Sequence, residues 1–464
     1  MIDLSRFAEK LTHKKIAVFG LGLSGLSAVK ALRGAGITVT SWDDKEENQN
    51  KARDLGAGIE DLTQADLSGF DYLVLAPGVP YTHEPHAVVL NAQKYDLPII
   101  GDLEILHLSQ HGIKTIGITG TNGKSTTTAL LTHTLNECGV KSVMGGNIGT
   151  PVLELELDDV DALVLEISSY QMDLCPSFRP DISILLNITP DHLDRHGSMD
   201  AYVQAKKTIM DGEGVAVIGV DDDFSLSVFD SVFCKATRKI YPVSVKGEIP
   251  EGLFVKDNIL KRNQSGENNV IGSFATMQTL KGKHNQQNMA CCYVVAKEFD
   301  LENVNILSAF SSYGGLPHRQ YQVCVQDNVT YINDSKATNA EAAAKALSSY
   351  DNIFWIVGGR AKKTADKIGL EGLDIFKDKI VKAFVIGEAE EEFTRWLTRY
   401  GFDVEGCSDL KTATQKSHGQ AQDFDGNATV LLSPACASWD QFKSFEARGD
   451  AFTDEVLSLT GASK

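Results

Sequence analysis

The sequence predicts an α/β chain of three domains: a Rossmann-like N-terminal domain, a central mostly parallel α/β domain of the P-loop type, and a Rossmann-like C-terminal domain. Three observations predict it. Apolar runs of strand length alternate with helix-like segments along most of the 464 residues, the pattern that parallel sheets with crossover helices produce. Glycine-rich turns follow two of these runs, at 20–25 and at 120–123. The alternation breaks near 101 and again at Gly314-Gly315-Leu316-Pro317, which places the domains at 1–101, 102–315 and 316–464, each of ordinary domain size.

In the first segment, residues 15–19 form a buried-strand run and Gly20-Leu-Gly22-Leu-Ser-Gly25 turns it. A helical stretch then runs to Gly34, and a second strand ends at Asp43. A pyrophosphate can dock on the helix N-terminus of such an opening. Alone, the motif suggests NAD, with Asp43 about twenty positions on to hold a ribose hydroxyl, but a UDP-sugar also carries a pyrophosphate. The plainer alternative is that the glycines only permit close strand–helix packing. Strands at 72–75, ending in Ala76-Pro77-Gly78, and at 97–100 complete the domain.

The second segment carries the most informative run, Ile-Gly-Ile-Thr-Gly-Thr-Asn-Gly-Lys-Ser-Thr at 116–126, where an apolar strand passes through Gly120, Gly123, Lys124, Ser125 and Thr126 into a helix. Glycines let backbone N–H groups close on phosphate oxygens, and the helix N-terminus adds positive potential. Lys124 can reach β/γ-phosphates, and the Ser125 hydroxyl suits Mg²⁺. A nucleoside triphosphate site is therefore expected, although Ile118 stands where the strict P-loop has its first glycine. Strands at 162–167, 182–187 and 214–220 continue this sheet, and 246–274 reads as a small β insertion. Strands at 329–332, 353–357, 383–386 and 429–432 build the last domain.

A formal charge of −18 with no Lys/Arg run argues against a nucleic-acid partner. No stretch approaches the ~18 apolar residues of a membrane span. The first residues carry no apolar run of signal-peptide length, so a cytoplasmic protein without membrane insertion is expected. Eight cysteines with no C-x-x-C pair give neither a zinc site nor a disulfide framework and read as buried reduced thiols.

Several residues stand at strand ends, where open α/β sheets bind ligands. Glu166 closes an apolar strand and is placed as a Mg²⁺ ligand, with a paired or solvent-exposed strand-end acid as the plainer alternative. Asp191-His192-Leu-Asp194-Arg195-His196 gathers acids and imidazoles after another strand. Lys206 shares a helix face with Tyr202, yet by composition it is a surface lysine. The aspartates 221–223 read as a solvated turn. Segments 333–339 and 433–440 are polar loops, in which Cys436 reads as a small buried residue; Trp439 and Phe445 read first as core.

Taken in order, Gly-Thr-Asn-Gly-Lys-Ser-Thr at 120–126, Gly-Gly-Asn-Ile-Gly at 145–149, Glu-Ile-Ser-Ser-Tyr-Gln at 166–171, Asp-His-Leu-Asp-Arg at 191–195, His-Asn-Gln-Gln-Asn at 284–288, Gly-Leu-Pro-His-Arg at 315–319 and Asn-Asp-Ser-Lys-Ala-Thr-Asn at 333–339 resemble the Mur ligase family. The ending at 432–442, Leu-Ser-Pro-Ala-Cys-Ala-Ser-Trp-Asp-Gln-Phe, is similar to the branch that adds D-glutamate to UDP-N-acetylmuramoyl-L-alanine.

The resemblance implies a monomeric ligase in cytoplasmic peptidoglycan synthesis, working through an acyl phosphate with ATP and two Mg²⁺ ions. Its pattern makes Lys124, His192, Lys206 and Arg319 catalytic. ATP would be held by Gly120, Thr121, Asn122, Gly123, Lys124, Ser125 and Thr126, with Asn285, Asn288, Arg319, Asp334 and Lys336. The UDP substrate would meet Leu23, Ser24, Asp43, Gly78, Asn147 and His192, and D-glutamate would meet Thr338, Lys362, Ser438, Trp439 and Phe445. Metal would fall to Ser125, Glu166, His192 and Lys206, the last as a carbamate. Two departures stand out: Lys362-Lys363 offers two candidate lysines, and Trp439 stands where an aliphatic residue is common.

An NAD-dependent oxidoreductase would leave 120–126 idle, and a non-catalytic nucleotide sensor would lack the metal-ligand candidates, which are present. Another Mur-type ligase with a different amino acid is the remaining alternative.

Overall fold

The structure, a computed structural model, describes residues 2–109, 112–235, 237–277, 279–361 and 368–462. It contains three α/β sheets, distributed over two compact units, Met1–Tyr313 and Gly314–Lys464.

The first sheet comprises β1 (Lys15–Phe19), β2 (Thr38–Trp42), β3 (Gly58–Ile59), β4 (Tyr72–Leu75) and β5 (Ile99–Ile100). All are parallel, in the order β3-β2-β1-β4-β5. The order reverses between β1 and β4, and the C-terminal ends of strands at such a switch point are where open α/β sheets bind ligands. There the glycines divide their work. A Cβ on Gly25 would lie 1.9 Å from the Gly20 carbonyl, so helix Leu23–Gly34 can approach the loop only with glycine at that position. A Cβ on Gly22 would meet nothing within 4 Å.

The second sheet comprises β6 (Lys114–Thr119), β7 (Ser142–Gly146), β8 (Ala162–Glu166), β9 (Ile182–Leu185), β10 (Gly214–Gly219), β11 (Arg238–Ser244), β12 (Gly252–Lys256), β13 (Ile259–Gln264) and β14 (Glu267–Ser273). Its order is β14-β13-β12-β11-β10-β9-β6-β8-β7. Strands β6 to β12 pair in parallel, and β12, β13 and β14 form an antiparallel edge, the expected β insertion. Strands β8 and β9 are buried along their whole length and β6 from Ile116 on, which is why apolar residues dominate them without strict alternation.

The first two sheets share one hydrophobic core, in which Leu21, Leu32 and Ile105 join Leu153, Leu165 and Phe178. Across it, Gly101 N donates to Leu174 O at 2.8 Å and Lys30 Nζ lies 3.5 Å from Glu154.

In the second unit, β15 (Tyr321–Gln326) lies antiparallel on β16 (Val329–Asn333). Beyond it β20 (Ala428–Leu432), β17 (Ile353–Gly358), β18 (Ile380–Ile386) and β19 (Val404–Ser408) follow in parallel. Alternation along β17 sends Trp355 into one core and Phe354 into the other.

Two expectations change. Asp221 and Asp222 do not form a solvated turn. Asp221 accepts from Ser244 Oγ at 2.7 Å, Val245 N at 2.8 Å and Gln287 Nε2 at 3.1 Å. Asp222 caps helix Asp223–Phe233 through Ser225 N at 2.8 Å. The acids are there because strand-end and helix-start N–H groups need acceptors. The cysteines are free thiols, but Cys234 is exposed and Cys138 and Cys324 are only half-buried.

Asp102, the first residue of helix Asp102–Leu108, is buried and accepts from Leu103 N at 2.9 Å. Burial raises its carboxyl from the ordinary 3.8 to about 6. The folded chain thus keeps a proton that the unfolded chain releases. This contribution to stability is complete below the unfolded value and is lost as pH rises through about 6. Asp102→Asn should raise the melting temperature more at pH 8 than at pH 5, with a gain of up to about 3 kcal/mol at pH 8. Equal shifts at the two pH values would exclude the buried charge as the cause.

Candidate functional site

The loop between β6 and helix Lys124–Glu137 turns on two glycines, Gly120 at φ +154° and Gly123 at φ +88°. A Cβ on Gly120 would stand 3.0 Å from Leu186 Cβ, and one on Gly123 would stand 2.8 Å from Asn288 Oδ1. The loop is shaped from the end of β9. Asn187 Oδ1 accepts from Asn122 N at 2.9 Å, its Nδ2 donates to Asn122 O at 3.0 Å, and its carbonyl accepts from Thr121 N at 2.9 Å. Thr121 Oγ1 donates to Thr189 O at 3.1 Å, accepts from Thr189 N at 3.0 Å and lies 3.1 Å from Tyr202 Oη. The first turn of the helix has neither a side-chain cap nor an acidic residue, so its positive end is left for an external anion.

Two ammonium groups converge on one carbonyl here. Lys124 Nζ donates to Gly120 O at 2.8 Å and Thr121 O at 3.0 Å, and Lys206 Nζ donates to the same Gly120 O at 2.9 Å. Lys206 is 2% exposed, with its ammonium 4.7 Å above the Tyr202 ring. Burial first, then the Lys124 charge, lowers its pKa to about 7. The surface-lysine reading is therefore wrong: the face of helix Met199–Lys207 that carries Tyr202, Ala205 and Lys206 is the buried one.

Glu166, at the end of β8, pairs in register with Ile118 on β6, two residues before Gly120. It is 3% exposed. Oε1 accepts from Asn147 Nδ2 at 2.9 Å, while the buried Oε2 has no hydrogen-bond partner. Such an oxygen is costly unless a cation meets it, and an anionic oxygen beside a serine-bearing helix start fits Mg²⁺. Ser125 is itself buried in the first turn of that helix. His192 begins helix Leu193–His196 at φ +53°, with Nε2 3.4 Å from Asp191 and the ring 5.0 Å from Tyr170. Among the described residues no three His, Cys, Asp or Glu side chains form a ready-made cage, so an ion here would draw on phosphate oxygens and water as well.

Of the other first-unit candidates, Asn288 lies against Gly123, and its Nδ2 donates to Asn285 Oδ1 at 3.2 Å. Leu23 is exposed at the start of its helix, and Gly78 faces open space. Asp43 is already engaged by its own loop: Oδ2 accepts from Leu21 N at 2.6 Å, and Oδ1 from Lys45 N at 2.9 Å. It thus holds the glycine turn, with Ser24 half-buried beside it.

In the second unit, Asn333, Asp334 and Ser335 make the start of loop 333–339 a buried polar network, while Asn339 at its end is exposed. Asp334 Oδ2 accepts from Ser433 Oγ at 2.7 Å and Oδ1 from Gln320 N at 3.1 Å, and burial raises its carboxyl to about 7. The Gln320 bond and Lys336 N to His318 O at 2.9 Å fasten the stretch carrying Arg319 to this loop. Lys336 Nζ lies 5.3 Å above the Phe445 ring. Ser438 is buried and Thr338 half-buried. Trp439 is 67% exposed and Phe445 half-buried, so neither is core; a strand-end loop leaves the indole no apolar layer to enter. Lys362 and Lys363 lie outside the described residues.

Two residues escaped sequence reasoning. Asn187 held the same strand-end signal as Glu166. Arg448, buried with Nε on Ser335 Oγ at 2.9 Å and Nη2 on the Ser335 and Cys436 carbonyls, gives no local signal, because its partners come from distant loops.

A family model described as Mur ligase middle domain matches residues 118–296, and one described as Mur ligase MurD-like, N-terminal domain matches 14–101. The chain is 43% identical to the UDP-N-acetylmuramoylalanine--D-glutamate ligase of Rhizobium meliloti (strain 1021) and 42% identical to that of Brucella abortus (strain 2308), with 97% of each chain covered in both cases. Among solved structures it is similar to UDP-N-acetylmuramate-alanine ligase MurC from Thermotoga maritima, with TM-score 0.56 and 17% identity over 96% of this chain and 99% of that one. It is also similar to MurF from Acinetobacter baumannii, with TM-score 0.55 and 18% identity over 77% and 80%. At these identities the structural likeness concerns the fold.

Asn187→Ala removes both amide bonds to Asn122 and leaves two loop groups to find water. It should weaken nucleoside triphosphate binding by about tenfold, a cost of about 1–2 kcal/mol, in calorimetric titration. Unchanged affinity would mean that the loop holds its shape without Asn187.

Proposed function

The chain belongs to the Mur ligase family, and from that premise we propose how its residues divide the work. It is a ligase that adds D-glutamate to UDP-N-acetylmuramoyl-L-alanine in peptidoglycan precursor synthesis, and it depends on ATP. The observation that carries the detailed assignment is the pair of lysines on Gly120 O beside the unpartnered Glu166 oxygen. A niche with two converging lysines and one bare carboxylate oxygen suits a phosphate and a divalent cation together.

A carboxylate acylates poorly, so ATP first phosphorylates the alanyl carboxylate and the D-glutamate amine then attacks the acyl phosphate. Loop 120–126 holds the phosphates, and Lys124 exchanges its loop carbonyls for β/γ-phosphate oxygens. Asn285, Asn288, Asp334 and Lys336 serve the nucleoside, and Arg319 offsets charge on the transferred phosphoryl. Ser125 and Glu166 would hold one Mg²⁺, and His192 with Lys206 would hold a second. When bound, Mg²⁺ neutralises charge between the β- and γ-phosphates.

Lys206 does this as a carbamate: the ammonium first gives up one proton, and the neutral amine then forms an N–C bond to CO₂ and releases a second, so that a buried cation becomes an anion. Leu23, Ser24, Asp43 and Gly78 meet the UDP moiety, and Asn147 and His192 the muramoyl-alanine. Thr338, Ser438, Trp439 and Phe445 take D-glutamate, with Lys362 assigned by sequence pattern alone. The domains run 1–101, 102–315 and 316–464, and the enzyme works as a cytoplasmic monomer.

Phosphate release from ATP with UDP-N-acetylmuramoyl-L-alanine should require D-glutamate and fail with L-alanine or meso-diaminopimelate. Equal rates with L-glutamate would overturn the amino-acid assignment. Lys206→Ala should be nearly inactive yet partly rescued by acetate or formate, whose oxygens can occupy the vacated space. Lys207→Ala, turned about 100° around the helix, should stay active. Normal ligation by Lys206→Ala without added carboxylate would remove Lys206 from the metal site.

A further inference from the structure

His196 is 5% exposed and closes the four-residue helix that His192 begins; Arg195 N and His196 N both donate to His192 O, at 3.0 and 3.1 Å. The imidazole reaches out of this turn into helix Ser169–Asp173, which starts three residues after Glu166. Nε2 lies 2.9 Å from Ser169 Oγ, and Nδ1 lies 3.8 Å from Asp173 Oδ2.

The order of groups is that of a nucleophilic triad, but Ser169 is 2% exposed and out of reach of any substrate. The arrangement therefore positions rather than attacks. A neutral imidazole donates through one ring nitrogen and accepts through the other. The Asp173 carboxylate, too distant for a direct hydrogen bond, favours the proton on Nδ1. Nε2 is then left to accept the Ser169 hydroxyl.

The surroundings show what this bolt holds. His192 and His196 flank the same two rings: His192 is 5.0 Å from Tyr170 and 6.4 Å from Tyr202, and His196 is 5.6 and 5.3 Å from them. On the other side the turn carries loop 79–83, which follows Gly78. Arg195 Nη2 donates to Val79 O, and a Cβ on Gly197 would stand 2.8 Å from His83 Nδ1.

We propose that His196 is a positioning residue of the ligase, which fastens turn 192–196 to helix Ser169–Asp173 and thereby sets His192 and loop 79–83 together. It rests on the assignment of His192 to metal and Gly78 to the UDP substrate, and it adds a residue that touches neither. Metal affinity and UDP-substrate affinity are then coupled through one buried imidazole.

The test is steady-state kinetics on the full-length enzyme, titrating Mg²⁺ and each substrate separately for His196→Leu, Ser169→Ala and His196→Gln. His196→Leu should raise both the Mg²⁺ needed for half-maximal rate and the KM for UDP-N-acetylmuramoyl-L-alanine by roughly tenfold, with the KM for D-glutamate unchanged. Ser169→Ala should shift the same two quantities by less. His196→Gln, whose amide both donates and accepts, should restore most of the loss. A rise in all KM values alike, or a fall in kcat with both quantities unchanged, would overturn the proposal. If His196→Leu does not fold, Ser169→Ala at wild-type values for both quantities overturns it equally. His192→Ala run in parallel tests the underlying assignment separately, since an unchanged Mg²⁺ requirement there would remove His192 from the metal site whatever the His196 variants do.

Discussion

One carbonyl oxygen, that of Gly120, accepts from Lys124 and from Lys206, and much of the surrounding structure follows from that crowding. A buried Lys206 ammonium beside Lys124 is costly, and the cost falls if Lys206 loses its proton or gains an acid group, or if an anion arrives. The loop is accordingly built to receive an anion. Its glycines hold positive φ, its helix start has no acidic residue, and Asn187 and Thr189 fix it from the neighbouring strand end. Glu166, with one oxygen committed to Asn147 and one bare, supplies the complementary demand for a cation. On the proposed assignment, phosphate and a divalent metal would answer these two demands together.

Such a site works only if its donors do not drift, and the first unit secures this through a core common to two sheets. Leu21 and Ile105 pack with Leu153 and Leu165, and Gly101 bonds Leu174. The glycine turn after β1 and the phosphate loop after β6 are therefore referenced to the same apolar layer. Arg195 and Gly197 add a polar seam next to it, on the loop that follows Gly78.

The second unit solves its own positioning problem with buried polar groups. Arg448 sits 1% exposed and, among the described residues, has no carboxylate in hydrogen-bond contact; its bonds go to Ser335 Oγ and to the Ser335 and Cys436 carbonyls. Burying a guanidinium among neutral acceptors lowers its pKa to about 10 and costs stability relative to an apolar side chain. In return, two strand-end loops are tied to one rigid group, and Asp334 ties a third stretch through Gln320. Ser438 lies buried in one of these loops, and Trp439 beside it projects into solvent.

Sequence alone determined the alternation of strands and helices, the parallel sheets and the glycine turn at 120–123 between strand and helix, because these are written in local period, turn chemistry and residue order. It also pointed to Glu166 and His192, since position at a strand's C-terminal end can be read without knowing the neighbours. Only the tertiary structure decided that Lys206 is buried, that Asp221 and Asp222 serve the ends of strands and helices, and that Trp439 is exposed. It alone brought Ser169, Asp173 and His196 together. Burial and hydrogen-bond partnership are relations between segments: Lys206 meets Gly120 across more than eighty positions, and Arg448 meets Ser335 across more than a hundred. Neither residue type nor local spacing carries the identity of a partner that folding brings from so far along the chain.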